Sequence, residues 1–582
     1  MRAAQLGFTL IFSLLTAACG GGGESGGDGG VVTPPAPRNT LITNLVADQV
    51  FSGPAAASES EFDLAAGVTA ASSGGDASNL TVSYDASRKS YTVAVAGRSQ
   101  TFTPGDVISD AQGEVRYQKD GAAGRDSLTL VTTPYSGTSS NRYVGMGFWQ
   151  RSSVTGQRQT DQFATFVYGL DTPASAMPRT GRAHFAIDVF GLATVPGYEP
   201  SVLQGDGRFD IDFRAGVFST QSYLTETGLL SGDSSSGGGL ELVGAGLLSS
   251  TEPAFSGHVR VGTRNADLSG SLTGRFYGPG AEELGASFSA SNSNGATVVG
   301  SFTGQRGDAP PVNLVLTDVI APQTLFAYGT ALRVGTVDGR PETEVRSQRM
   351  IGQFHDRTNG IFNYGPGSSS MGGGDFTPAA IVSSDDPNFT RYETTFGDRD
   401  VRLDLYKVGE ANSELALTYV SLGRWRSAET HGPQRTDQHH HFVYGLETPD
   451  RLLAARTGSA RYEGVVYGAG ANAESGELFD IRGASVFNVD FSSQSYSGDL
   501  TLSGRGDSGV VDFGRYDFSG RLGWSRSSTA VITYNGEEVG SLRSRFYGPT
   551  GEEIGGDFFL IAPESVHAGQ TTITGATVAR RR

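Results

Sequence analysis

Apolar and polar side chains alternate singly over much of this chain. Ala183, Phe185, Ile187 and Val189 are separated by His184, Ala186 and Asp188, and Phe190 follows. Phe209, Ile211 and Phe213 alternate with Asp210, Asp212 and Arg214, and far downstream Phe487, Val489 and Phe491 bracket Asn488 and Asp490. Successive residues of an extended strand point to opposite faces. This period of two therefore predicts strands with one face in a core and the other, Asp210, Asp212 and Arg214 included, in water. About eight or nine such runs lie between Tyr143 and Arg306, and again from Leu415 onward. Many short strands without a helical pattern predict closed barrels or sandwiches, and closure removes exposed strand edges. Ahead of the first set, Leu80, Val82 and Tyr84, the polar turn Asp85 to Lys89, and Tyr91, Val93 and Val95 predict a hairpin. A second such region runs from about Pro310 to Asn412 and contains a glycine- and serine-rich loop from Gly365 to Gly374.

The pattern is written twice. Gly270-Ser271-Leu272-Thr273-Gly274-Arg275-Phe276-Tyr277-Gly278-Pro279 leads into Glu282-Glu283-Leu284-Gly285, and Gly540-Ser541-Leu542-Arg543-Ser544-Arg545-Phe546-Tyr547-Gly548-Pro549 leads into Glu552-Glu553-Ile554-Gly555. Upstream, Phe166-Val167-Tyr168-Gly169-Leu170-Asp171-Thr172-Pro173 matches Phe442-Val443-Tyr444-Gly445-Leu446-Glu447-Thr448-Pro449, and Trp149 pairs with Trp425. One order and nearly constant offsets imply a duplication with two long copies, a bilobed protein instead of a short-repeat solenoid.

The start of the chain reads as an export signal. Arg2 precedes the apolar run Leu6 to Leu15, which is too short to span a bilayer as a helix, and Thr16-Ala17-Ala18 supply small residues for cleavage. Cys19, the only cysteine, follows at once. Its place matches a bacterial lipobox, although Thr16 stands where such boxes usually carry leucine. Lipidation is therefore expected at Cys19, which leaves no thiol for a disulfide. Eight glycines between Gly20 and Gly30, then Val31 to Pro37, make a tether. Net charge is −17 with no basic stripe, so nucleic acid is not an expected partner.

The doubled Phe-Tyr-Gly-Pro…Glu-Glu motif, behind a lipobox and a glycine-rich leader, resembles the transferrin-binding protein B family of surface lipoproteins. The resemblance implies an all-β chain of two homologous lobes, each a small β handle domain followed by a soluble eight-stranded antiparallel β-barrel. It places a signal peptide at 1–18, the acylated cysteine and tether at 19–40, handles at 41–138 and 309–413, and barrels at 139–308 and 414–582. It also implies display on the outer membrane through the lipid anchor, capture of a protein ligand such as an iron carrier, and transfer to a TonB-dependent channel. It transfers no ligand-binding residue. An adhesin or envelope-structural lipoprotein is the competing reading. Membrane-spanning barrels are disfavoured by charged outward positions and by the final Arg580-Arg581-Arg582.

Three constellations could carry chemistry. Glu282-Glu283 and Glu552-Glu553 are paired acids, but neighbours on a strand face opposite ways, whereas a glycosidase needs two carboxylates across a cleft. They read as turn and strand-start structure. His439-His440-His441, with His431 upstream, would put His439 and His441 on one face, with exposed imidazoles as the plain alternative to a metal site. Arg505-Gly506-Asp507-Ser508 and Arg306-Gly307-Asp308 lie among turn-forming glycines, where such triplets arise by chance. No catalytic residue, metal site or cofactor is expected.

Overall fold

The computed structural model describes residues 38–582 apart from 76–77, 96, 112, 122–123, 138, 338–339, 357–360, 365–373, 397–398, 432–433, 450–451, 454–455 and 524–527. The export signal, Cys19 and nearly all of the tether lie outside the described residues, as does the loop expected at Gly365 to Gly374, save Gly374. Four antiparallel β units follow one another: a ten-stranded open sheet, a closed eight-stranded barrel, a nine-stranded open sheet and a second closed eight-stranded barrel. Each sheet and the barrel after it form one lobe. No helix among the described residues is long and apolar enough to cross a membrane.

The two sheets share a topology. In the first, the opening strand Gln49–Asp63 pairs with the closing strand Arg158–Gly169, and hairpins extend outward on both sides. In the second, Gln323–Val337 pairs with Gln434–Gly445 in the same way. The expected hairpin of Ser78–Asp85 and Ser90–Val95 forms, with Tyr84 opposite Tyr91.

The barrels begin later than the alternation suggested. The strands Val144–Thr155 and Arg158–Gly169, expected in the first barrel, belong to the sheet, and the barrel starts at Arg182. Val420–His431 and Gln434–Gly445 are likewise sheet strands, and the second barrel starts at Ser459. The cause is burial on both faces. Trp149 and Phe166 point into the sheet's own core with Phe51, Leu80 and Leu128, while Phe148 and Phe163 pack with Val299, Phe190 and Leu192 on the outside of the barrel. A strand buried on both sides carries no sign of which module it joins.

Each barrel closes by pairing its first strand with its last. His184 to Thr194 pairs with Thr297 to Gly307, and Tyr462 to Asn472 with Thr571 to Arg581. The inward positions read from the alternation fill the interior: Phe185, Ile187, Val189, Phe209, Ile211 and Phe213 in the first barrel, Phe487, Val489 and Phe491 in the second. The Phe209 ring lies 4.7 Å from Phe218 and 4.9 Å from Phe255, so aromatic packing fills the barrel.

The outward positions of the first barrel need correction. Arg214 is exposed as expected, but Asp210 and Asp212 are buried, because the second lobe's opening segment lies over that wall. Arg208 donates to the Pro310 carbonyl at 3.2 Å, and Arg182 pairs with Asp212 at 2.8 Å and with Asp318 of the second lobe at 3.2 Å. His184 Nδ1 lies 3.2 Å from Asp210. Charges that would have faced water join the lobes instead.

Removing the Arg182 side chain leaves Asp212 buried beside neutral groups. Arg182→Ala is expected to destabilise the chain by about 3–5 kcal/mol in urea unfolding, whereas Arg214→Ala changes it by less than about 0.5 kcal/mol.

Candidate ligand-binding surface

The repeated motifs meet in space at the joint between sheet and barrel. In the first lobe the Thr172 amide donates to the Phe276 carbonyl (3.0 Å), the Gly278 amide to Leu170 (2.9 Å), and the Thr172 hydroxyl to Gly278 (2.7 Å). The second lobe repeats this with Thr448 to Phe546 (2.9 Å), Gly548 to Leu446 (2.9 Å) and the Thr448 hydroxyl to Gly548 (2.5 Å). Gly278 and Gly548 have φ of +86° and +91°, and a Cβ at either would meet a tyrosine ring, Tyr143 or Tyr419. Both constraints require glycine.

One glutamate of each pair completes the joint. The buried Glu283 carboxylate accepts from the amides of Arg142 (2.7 Å), Tyr143 (2.8 Å) and Val144 (3.0 Å), where a sheet strand begins. Glu553 accepts from Thr418 (2.7 Å), Tyr419 (2.8 Å) and Val420 (2.9 Å). Their neighbours hold their own turns, Glu282 through the Gly280 amide (2.8 Å) and Glu552 through the Thr550 amide (3.0 Å). No pair faces a common cleft. Burial pushes the Glu553 carboxyl up to about 7, against three amide bonds that favour the anion, and the nearby Glu552 charge adds to the rise. Burial raises Glu283 as well.

The surface suited to a protein ligand lies elsewhere, at one end of the first lobe. Four hairpin turns converge there. The Leu64 amide bonds the Gln157 carbonyl (2.9 Å), Thr69 and Tyr198 are joined at 2.8 Å, and the Leu229 amide bonds Pro200 (2.9 Å). Together they present Leu64, Val154, Tyr198, Leu229 and Leu230 to solvent, with Leu230 62% exposed. Tyr223, on the strand leading into the last turn, is 71% exposed. The Glu199 carboxylate accepts from the amides of Leu230 (2.8 Å) and Ser231 (2.9 Å), which holds the leucine pair outward. Clustered exposed apolar side chains on braced turns make this the candidate surface.

The second lobe keeps the brace and changes what it presents. Glu477 accepts from the Ser508 amide at 2.7 Å, and the turn it holds displays Asp507 and Ser508. The facing turn carries Glu474 and Ser475 in place of Tyr198. The first-lobe tip was not singled out from sequence, because an apolar pair among turn formers reads as a short strand; Leu229-Leu230 between Gly228 and Gly232 was its one signal.

The histidine cluster is not the exposed strand of the plain reading. His440 and His441 are buried, His440 packs edge-on against Trp425 at 5.1 Å, and His439 lines a cavity between sheet and barrel. Among the described residues no group of three or more His, Cys, Asp or Glu side chains is arranged to hold a metal. Asp507 sits in the exposed turn, Arg505 on the wall of the same cavity, and Arg306 to Asp308 at the exposed end of the first barrel's last strand.

A family model described as the C-lobe and N-lobe beta barrels of Tf-binding protein B matches residues 251–306 and 455–581. Transferrin-binding protein B of Haemophilus influenzae (strain 86-028NP) is 24% identical over 311 residues, 50% of this chain and 46% of that protein. Its namesake from Neisseria meningitidis serogroup B is 30% identical over 181 residues, 28% of each chain. The chain thus spans less than half the length of these curated relatives. Intact Ap-TbpB, with N and C lobes, is 13% identical with a TM-score of 0.27, over 95% of this chain and 99% of that one. A double mutant of transferrin binding protein B from Haemophilus parasuis Hp5 is 15% identical with a TM-score of 0.28, over 78% and 85%.

Because the Glu553 carboxyl sits at about 7 when folded, above roughly 4.3 when unfolded, its contribution is full below the lower value and lost as pH rises through the upper one. Unfolding free energy should therefore fall between roughly pH 4.3 and about 7. Glu553→Gln, which cannot ionise, should flatten that slope; an unchanged slope would show that this carboxyl does not titrate there.

Proposed function

We propose, from the premise that this chain belongs to the transferrin-binding protein B-like family of two-lobed β-barrel proteins, that it is a surface receptor capturing an iron-carrying protein of the transferrin type at the tip of its first lobe. The observation that carries this reading is the asymmetry between the two tips. The same Glu-braced turns hold Leu229, Leu230 and Tyr198 outward in one lobe and Asp507, Ser508 and Glu474 in the other. Protein interfaces draw most of their energy from a few apolar and aromatic anchors in a desolvated centre, and rigid turns supply them with little ordering cost.

In this reading an acylated Cys19 anchors the chain to the outer membrane, and the glycine-rich tether lets the two lobes reach outward. The captured protein then passes to a TonB-dependent channel. The curated relatives are named for transferrin binding, which is the reason to begin with that ligand.

The tip is tested by measuring transferrin binding to the immobilised full chain. Leu229→Asp with Leu230→Asp should weaken it at least about 100-fold, since two central anchors are worth roughly 2 kcal/mol each or more. Val510→Asp, an exposed apolar position on the second lobe, should leave it unchanged. Failure of the unaltered protein to hold transferrin, together with retention of matrix or glycan, would favour the adhesin reading. The anchor is tested separately: Cys19→Ala should release the chain from membranes and abolish incorporation of a labelled fatty acid.

A further inference from the structure

The two lobes are copies, so a place where one packs and the other does not is informative. Between sheet and barrel the first lobe has a seam centred on phenylalanine rings. Phe148 and Phe163 lie on the sheet face, and Phe190 reaches up from the barrel to within 3.9 Å of Phe148, among Met146, Val131 and Val299. Strand register fixes the equivalent positions. Phe148 lies opposite Thr165 and Gln150 opposite Phe163 in the first lobe; Arg424 lies opposite His441 and Arg426 opposite His439 in the second. Two phenylalanines, a threonine and a glutamine have become a two-by-two block of arginine and histidine. On the barrel side, Asp480 and Arg482 stand where the first lobe has Val202 and Gln204.

The second seam is hollow. A cavity of about 790 Å³ opens between the sheet, through Arg402, Arg426, Arg435, Asp437 and His439, and the barrel, through Phe479, Asp480 and Arg505. A second space of about 440 Å³ shares Arg402, Arg426 and Asp480 and runs on to Arg391, Arg424 and Arg482. Each of the two volumes suits a small-molecule site.

Its innermost charge is positive. The fully buried Asp404 is shared by three guanidinium groups, Arg391 (2.9 Å), Arg402 (2.9 Å) and Arg424 (3.2 Å). Arg426 is paired with Asp480 at 2.7 Å. Arg391 also pairs with Asp385 at 3.0 Å, so among these inner groups four arginines face three carboxylates. The remaining acids of the wall are otherwise engaged or solvated: Asp437 with Arg435 (3.0 Å), Asp386 with Arg482 (3.1 Å), Glu414 with the Tyr406 and Tyr467 hydroxyls (3.0 and 2.6 Å), and Glu393 and Asp400 exposed. Arg424 Nε, Arg426 Nε and His439 Nδ1 are buried without a protein partner, as are both ring nitrogens of His441. Burial, with the Arg426 charge, holds His439 down to about 4, and it holds His441 well below its usual range, so both are neutral at pH 7. Arg505, at the mouth, has no carboxylate partner among the described residues. Buried donors without acceptors each cost about 1–3 kcal/mol, and forked guanidinium groups match paired oxygens of carboxylate or phosphate.

We propose that this chamber in the second lobe binds a small oxyanion-bearing molecule, its carboxylate or phosphate groups received by Arg426, Arg424 and His439 and closed over by Arg505. The site is separate from the first-lobe tip and does not depend on the receptor reading.

The test is isothermal titration of the full chain at low salt with two probes, citrate for carboxylate and inorganic pyrophosphate for phosphate. Saturable one-to-one heat with either is expected, and the stronger probe identifies the preferred group. Arg426→Gln, which restores the first lobe's residue type at that place, should lower affinity at least tenfold. Because that change leaves Asp480 without Arg426, the exposed Arg505→Gln is the second variant, with a loss of at least threefold and an unaltered melting temperature. Absence of saturable heat with both probes, or full affinity retained in Arg505→Gln, would overturn the proposal.

Discussion

The whole arrangement rests on a buried glutamate side chain that accepts three consecutive backbone amides. A sheet and a barrel folded in series pack along a seam, and this bond fixes the end at which the chain passes from one to the other. Glu283 and Glu553 stand at the start of a barrel strand and reach across to the first amides of a sheet strand, groups that would be costly to bury unpaired. The adjoining Phe-Tyr-Gly-Pro turn and the Leu-Asp/Glu-Thr-Pro connection then zip together beside it. This explains why the most recognisable motif in the chain is architectural. It marks where the modules are pinned, and its two copies are alike because both joints meet the same geometric demand.

With the joints fixed, the lobes are free to differ at their tips and seams. Glu199 and Glu477 show this at the tips: the brace is kept and the displayed residues change from leucine to aspartate and serine. The seams differ more deeply, from a phenylalanine contact to an arginine–histidine–aspartate lattice around Asp404. Duplication on a common frame has produced two surfaces with different chemistry.

Much of the fold was legible because the alternation at Phe209, Ile211 and Phe213 reports one buried face per strand. It failed where both faces are buried, so the hairpin from Val144 to Gly169 was assigned to the barrel it merely packs against. Asp210 and Asp212 misled for a related reason: their side of the barrel is covered by a segment about a hundred residues downstream. The histidine run was visible as a cluster, but its burial against Trp425 depends on tertiary packing that local pattern does not encode. The tip was hidden since no periodicity distinguishes an apolar pair displayed on a turn from one that enters a core.

The contrast between the seams has a physical consequence for the molecule as a whole. A phenylalanine contact loosens on cooling and tightens in salting-out ions, whereas the outer ion pairs of the second seam, such as Arg435 with Asp437, weaken as mobile ions screen them and the buried group around Asp404 is screened much less. The same polypeptide therefore carries two seams with different environmental sensitivities. Cooling acts first on the phenylalanine seam and added salt first on the rim of the charged one, so the two lobes answer to different changes in the medium.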